Sequence, residues 1–257
     1  MSQPLVGRTA LVSGAGNGLG RAMVGQLAAA GARVVLVGRH EDTLREAVAA
    51  LNLSASSARV EICDVSDVDS VARLAAACAD ERISILVNNA GVPGPVADLV
   101  DIEPDDWDAV FAVNVRGIYL MCRAFLPAMM SAGDGDVVNV ASVSGKRPLA
   151  RRTPYCASKM AVIGLTTTLA HEVGTSGVRV NSLSPGPVRG PRMERNFRLD
   201  AQRTGSSPAE AEAAFVSRAA LGRMVEEQEV AQGLVAMLQI PGLTAADIDL
   251  SGGMVAR

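Results

Sequence analysis

A short apolar run with β character, Thr9-Ala10-Leu11-Val12-Ser13, breaks into Gly14-Ala15-Gly16-Asn17-Gly18-Leu19-Gly20 and then into a helical stretch from Arg21 to Ala30. Gly31 closes that helix, and Arg33-Val34-Val35-Leu36-Val37 reads as a second buried strand. Strand, glycine turn, helix and strand follow one another within about thirty residues, the context in which a glycine-rich loop gains meaning. Glycines let the turn tighten and let backbone approach a pyrophosphate, while the helix N-terminus offers N–H groups and a positive dipole end. The first part of the chain therefore reads as a nucleotide platform. At 257 residues, with 49% hydrophobic content, 25 glycines and few aromatics, the chain can bury one core of Val, Leu and Ile strands under Ala-rich helices.

The second informative stretch is Arg152-Thr153-Pro154-Tyr155-Cys156-Ala157-Ser158-Lys159. It opens a helix running to about His171, and Pro154 suits the first turn, where its missing N–H costs nothing. A helix returns to the same face after four residues, so Tyr155 and Lys159 stand one above the other. An ammonium beside a phenol favours the phenolate and draws the tyrosine pKa down from about 10. A tyrosine so placed can act as a general acid or base. The chain has two tyrosines, and its only lysines are Lys146 and Lys159, so the pairing is uncommon by composition.

The glycine spacing is Gly14-x-x-x-Gly18-x-Gly20, which departs from the general G-x-G-x-x-G fingerprint. With the Tyr155/Lys159 pair it resembles the single-domain short-chain dehydrogenase/reductase family, of the 3-oxoacyl-carrier-protein reductase-like type. The resemblance covers nearly the whole chain. It implies an α/β fold: a doubly wound Rossmann arrangement with a mainly parallel seven-stranded sheet in one domain, residues 1–257. The implied reaction is NAD(P)-dependent hydride transfer between a secondary alcohol and a ketone. Tyr155 would exchange the hydroxyl proton, and Lys159 would lower its pKa and hold the nicotinamide ribose.

The same resemblance assigns further roles. Gly14, Asn17, Gly18, Leu19 and Gly20 would bind the dinucleotide, as would Asp64 and Val65 at the end of a third strand. Asn89, Ala90 and Gly91 follow the fourth strand, where cofactor would pass close to backbone. Asn114 interrupts an apolar helical face between Pro104 and Met130. It is a satisfied core amide or, as the resemblance implies, a residue that bends the helix and holds a water of the proton relay. Ser142, at the end of a fifth strand, would hold the substrate oxygen beside Tyr155, with Ser144 the local competitor. A nucleophilic serine is disfavoured, because neither histidine stands in a triad and no G-x-S-x-G elbow occurs. Pro185, Gly186 and Val188 would flank the nicotinamide, and Gly190 replaces the threonine of many relatives.

An acidic residue at the end of the second strand would bind the adenosine ribose and favour NAD. That position is Gly38, followed by Arg39, whose guanidinium suits a 2′-phosphate. The expectation is NADP(H) over NAD(H), with Glu41 and Asp42 read as caps of the next helix. Residues 190–220 lack a strong core pattern and read as a substrate lid. Within it Arg189, Arg192, Arg195 and Arg198 recur every three residues, either a solvated basic face or the mark of an anionic substrate. Ala245 stands where relatives often have glycine.

A net charge of −3 gives no support for a nucleic-acid surface. No apolar run was expected to reach membrane-spanning length, and the start of the chain leaves no room for a signal peptide. Four scattered cysteines and two histidines argue against a metal site or a disulfide framework, and point to the cytoplasm. Homotetramers or homodimers are the implied assemblies. The rival classes are a redox-silent cofactor-sensing protein and a lyase or epimerase on the same platform.

Overall fold

In β1 (Thr9–Ser13) and β2 (Arg33–Gly38) alternate residues face opposite ways, and both sets are apolar. Ala10, Val12, Val34 and Leu36 enter one core cluster, while Leu11, Val35 and Val37 enter another. A strand buried on both faces needs helices on both sides, the condition of a parallel α/β sheet. The computed structural model describes residues 3–255, except for the side chain of Arg192. Among them β3 (Ala58–Ile62), β4 (Ile83–Asn88), β5 (Gly135–Val140), β6 (Val178–Pro185) and β7 (Asp247–Leu250) complete a seven-stranded sheet. Its order is β3-β2-β1-β4-β5-β6-β7, and every pairing is parallel.

The connecting helices are α1 (Gly18–Ala29), α2 (Glu41–Ala50), α3 (Val68–Ala77), α4 (Pro104–Phe111), α5 (Gly117–Ala132), α6 (Thr153–Val173), α7 (Pro191–Thr204), α8 (Pro208–Val216) and α9 (Glu227–Leu238). On one face α1 and α9 pack Met23, Val24, Leu27, Val230 and Leu234 against the sheet. On the other, α3, α5 and α6 contribute Leu74, Met121, Phe125, Met129 and Val162. At about 25 cal/mol per Å² of apolar surface removed from water, these two layers are the main source of stability. Strand order reverses between β1 and β4, so the loops leaving them diverge and open a crevice.

Several local expectations change. Residues Pro104–Ala132 form one continuous helical run, long and apolar enough by length and composition to cross a bilayer, where no such run was expected. Half of its most apolar window is buried, as a core helix requires. Residues 190–220 have a small core of their own, in which Phe197 and Phe215 meet edge to face at 5.7 Å above Ala201, Ala211 and Met224. Glu41 and Asp42 lie inside the first turn of α2, where they complement the helix dipole, and the N-cap position is His40. Ala245 has φ +57, a left-handed conformation that glycine adopts freely and alanine does not.

The edge of the sheet away from the crevice is tied by charge. Asp136 in β5 takes a bidentate pair from Arg179 of β6, at 2.7 and 2.9 Å, and a third contact from Arg8 at 2.7 Å. Arg8 also donates to the Ser84 carbonyl at the start of β4, at 2.7 Å. Asp136 is 4% exposed, so removing it leaves two guanidinium groups facing each other in a poorly hydrated place. Asp136→Ala is expected to lower stability by roughly 3 kcal/mol in urea unfolding; a loss within error of zero would show that this cluster is not what ties the strands.

Candidate functional site

The glycine loop is held by its neighbours across the sheet. Ser13 Oγ accepts from the backbone amides of Asn89 and Ala90, both at 3.1 Å. Asn89 Nδ2 donates back to the carbonyls of Ser13 at 3.0 Å and Gly14 at 3.1 Å. Gly20 lies so close under the loop that a Cβ there would sit 2.0 Å from the Gly14 carbonyl oxygen. Asn17 occupies the N-cap of α1 without a side-chain cap, and the first turn holds no acid. The first N–H groups of α1 are therefore available to an anion at a positive dipole end. These features fit the diphosphate of a dinucleotide.

At the end of β2, Gly38 is followed by the exposed Arg39 and His40. Asp64, after β3, accepts from the Ser66 hydroxyl at 2.6 Å and the Ser66 amide at 2.9 Å. Those bonds, with Arg39 nearby, hold its carboxyl below the usual range although burial works the other way. The cap of α3 is Asp67, which accepts from the Ser70 amide at 2.6 Å.

The helical run carrying Asn114 does bend: Ala112–Arg116 is a π-helical turn between α4 and α5. Such a turn has one residue too many for the α ladder, and insertions of this kind recur at functional sites. Asn114 is fully buried, and its amide is fixed by three bonds. Oδ1 accepts from the Val92 amide at 2.8 Å, while Nδ2 donates to the Val92 carbonyl and to Ser158 Oγ, each at 3.0 Å. Asn114 thus joins the loop after β4 to α6, one residue before Lys159.

Tyr155 and Lys159 are buried on one side of α6, and the ammonium lies 5.8 Å from the centre of the phenol ring. Lys159 Nζ donates to the Val140 carbonyl at the end of β5, at 2.7 Å. A Cβ on Gly91 would lie 3.2 Å from Asn114 Oδ1 and 3.6 Å from Lys159 Nζ, so Asn114 and Lys159 share that corner. Ser142 is buried at the start of the loop after β5, and its Oγ accepts from the Ser144 amide at 3.1 Å. Gly145 in the same loop lies flush against α6, since a Cβ there would meet Met160 N at 2.8 Å. That close approach seats the loop carrying Ser142 on α6 at Lys159 and Met160.

One cleft of about 1540 Å³ runs past all of these. Small-ligand pockets are typically about 300–1,000 Å³, so it has room for a dinucleotide and a second molecule. Gly14, Asn17, Gly18, Leu19, Gly20, Arg39, Asp64, Val65, Asn89, Ala90, Gly91, Tyr155, Lys159, Pro185, Gly186 and Val188 all line it, as does Ser142. Asn114 does not line the cleft and sits behind its wall. Of the arginine repeat in α7 and its approach, Arg189 reaches the cleft, but it is bonded to Glu226 at 3.0 Å and Glu212 at 3.4 Å. Arg195 and Arg198 are exposed and do not line it, and the Arg192 side chain lies outside the described residues.

Sequence reasoning missed Ser13, Ser158, Arg152 and Glu227. The first two serve through backbone and amide contacts between segments far apart in the chain, for which local pattern carries no signal. Arg152 stands three residues before Tyr155, at the N-cap of α6, and that spacing was a readable hint. Glu227 Oε1 lies 3.4 Å from where a Gly18 Cβ would be and 3.5 Å from the corresponding point at Gly190. Desolvation, opposed by Arg21, pushes its carboxyl pKa up.

Known proteins resemble this chain throughout. Residues 8–202 match the family model of short chain dehydrogenases. D-threitol dehydrogenase of Mycolicibacterium smegmatis is 41% identical over 186 residues, which is 72% of this chain and 71% of that protein. Among solved structures, a variant of actinorhodin polyketide ketoreductase with NADPH superposes with a TM-score of 0.90 at 32% identity, covering 99% of both chains. NAD+-bound xylitol dehydrogenase superposes with a TM-score of 0.89 at 29% identity, covering 97% of this chain and 99% of that one.

Proposed function

Because the chain belongs to the short chain dehydrogenase family, and is an oxidoreductase of CH–OH groups using NAD(P)(H), we propose that Tyr155 is its acid–base residue in interconverting a secondary alcohol and a ketone. The observation that carries this reading is the burial of Tyr155 and Lys159 together on the wall of the cleft that Ser142 also lines. When bound, the dinucleotide supplies or accepts the hydride. The protein's own part is to hold the substrate oxygen and to move one proton.

Tyr155 donates that proton to the developing alkoxide in the reducing direction and takes it back in the other. Lys159 lies close enough to stabilise the phenolate electrostatically, and its bond to the Val140 carbonyl is the contact it would share with a bound ribose. Ser142 Oγ accepts from the Ser144 amide, which leaves its own hydrogen to donate to the substrate oxygen. In this reading Ser144 supports Ser142 rather than replacing it. Asn114 positions the relay: its orientation is set by Val92, and Oδ1 keeps a second lone pair toward Gly91 and Lys159 for a water.

Residues 1–257 act as one dehydrogenase domain, with α7 and α8 as the lid over the substrate. Arg39 supports NADP(H) over NAD(H): it is exposed at the end of β2, lines the cleft and has no ion pair among the described residues. The four free cysteines suit a cytoplasmic setting. Exposed apolar residues on α5 and α6, Tyr119, Met130 and Met160, support a tetramer or dimer built through these helices.

Tyr155→Phe is expected to lower kcat by roughly 10³-fold while leaving dinucleotide affinity within a few-fold. Substantial residual turnover would remove Tyr155 from the chemistry. Arg39→Ala should raise KM for NADPH about 10-fold or more and leave NADH unaffected; equal effects on both would end the NADP(H) assignment. Light scattering of the purified chain should give the mass of a tetramer or dimer, and a monomer at micromolar concentration would contradict the assembly.

A further inference from the structure

Besides Arg39, six arginines border the cleft: Arg147, Arg151, Arg152, Arg189, Arg203 and Arg218. Three are matched by carboxylates. Arg151 faces Asp98 at 3.6 Å, Arg189 is held by Glu226 and Glu212, and Arg203 pairs with Asp200. Arg147 and Arg218 have no ion pair among the described residues. Arg152 differs in its placement: it is 7% exposed, and its guanidinium carbon lies 5.8 Å from the centre of the Tyr155 ring.

The backbone turns Arg152 inward. Arg151 has φ +64, a left-handed conformation that costs a non-glycine residue about 1–2 kcal/mol. Its carbonyl accepts from the Ala97 amide at 3.1 Å, which holds the turn. Arg218 approaches from the lid side, its guanidinium carbon 6.0 Å from the centre of the Phe215 ring, and Phe215 packs against the cluster of Val143, Ala219 and Met254. Arg147 follows the same loop after β5. The carboxylates that line the cleft are engaged or placed at its far end: Asp200 pairs with Arg203, Asp64 bonds Ser66, and Glu227 lies beside Gly18.

We propose that Arg152, in a cleft that Arg147 and Arg218 also line, is a specificity residue that binds an anionic headgroup of the substrate, a carboxylate. The proposal rests on the alcohol/ketone reading above and names the substrate class: short oxo acids and hydroxy acids. A guanidinium presents two parallel donors that a carboxylate accepts as a pair. With hydrogen bonds of about 2.9 Å at each end, a molecule touching both Arg152 and the Tyr155 hydroxyl has its acid and its carbonyl only a few bonds apart, as in 2-oxo and 3-oxo acids. Arg195 and Arg198 of the α7 repeat do not line the cleft and play no part in this site.

The test compares 3-oxobutanoate with its methyl ester and with a ketosulfonate of matching length, each reduced with NADPH. Wild-type enzyme should favour the acid over the ester by about 10- to 100-fold in kcat/KM, the value of a charge-assisted contact. Arg152→Gln should erase that preference, chiefly through KM, and leave the ester within a few-fold. A sulfonate that outperforms the carboxylate would overturn the headgroup assignment. An equal loss on acid and ester would also overturn it, by showing that Arg152 acts on Tyr155 rather than on substrate. If Arg152→Gln does not fold, the exposed Arg218→Gln should raise KM severalfold for the acid alone, and no difference between acid and ester would refute the site. Full turnover of the ester without acid preference leaves the dehydrogenase reading intact and ends this one. No turnover of acid, ester or any ketone in a broad panel would end both.

Discussion

The protein depends on how backbone polar groups are satisfied where β1 and β4 part. In a parallel sheet the strand ends that face a ligand are also the ends whose carbonyl and amide groups run out of partners. Here Ser13 Oγ accepts from the Asn89 and Ala90 amides, and Asn89 Nδ2 donates to the Ser13 and Gly14 carbonyls, four hydrogen bonds across the gap. They keep the two loops apart at a fixed distance without filling the space between them. Gly20 lets α1 approach the underside of the loop, so the helix N-terminus and the crevice coincide.

The same economy of contacts builds the other half. Asn114 would be costly to bury without partners, and all of its hydrogens and one lone pair are used. The π-helical turn is the geometric means: it rotates the amide out of the α ladder and toward Val92 and Ser158. One side chain thereby fixes the loop after β4 against the helix that carries Tyr155 and Lys159. The lysine is oriented in turn by the Val140 carbonyl, so the ends of β4 and β5 converge with α6 on a single corner.

Charge is distributed unevenly over the fold. At the edge away from the cleft, Asp136 neutralises Arg8 and Arg179 and locks strand positions. Near the last strand, buried Lys146 bridges Asp247 and Asp249, and Asp247 also accepts from Ser182 and Ser184. These clusters are closed, each cation having its acids. The cleft is different, because Arg147 and Arg218 have no ion pair among the described residues and Arg152 is buried beside the Tyr155 ring. A low-dielectric wall of Val143, Phe215 and Met254 strengthens that field toward a bound anion.

What the sequence by itself determined was everything carried by local period and spacing. The alternation in β1 and β2, the order of strands and helices, the Gly14–Gly20 turn and the four-residue interval from Tyr155 to Lys159 are written in neighbouring residues. The lining of the cleft by nearly every residue singled out beforehand follows from that order, since parallel connections bring all the strand ends to one side. Only the tertiary structure decided which arginines face the cleft. In the regular repeat Arg195 and Arg198 are exposed and Arg189 is held by acids, while Arg147, Arg152 and Arg218 line the cleft from separate segments. The orientation of Asn114, the core of α7 and α8 and the left-handed turn at Ala245 belong to the same class. Their reason is physical: each is set by contacts between residues distant in the chain, and such contacts leave no periodic mark on the sequence.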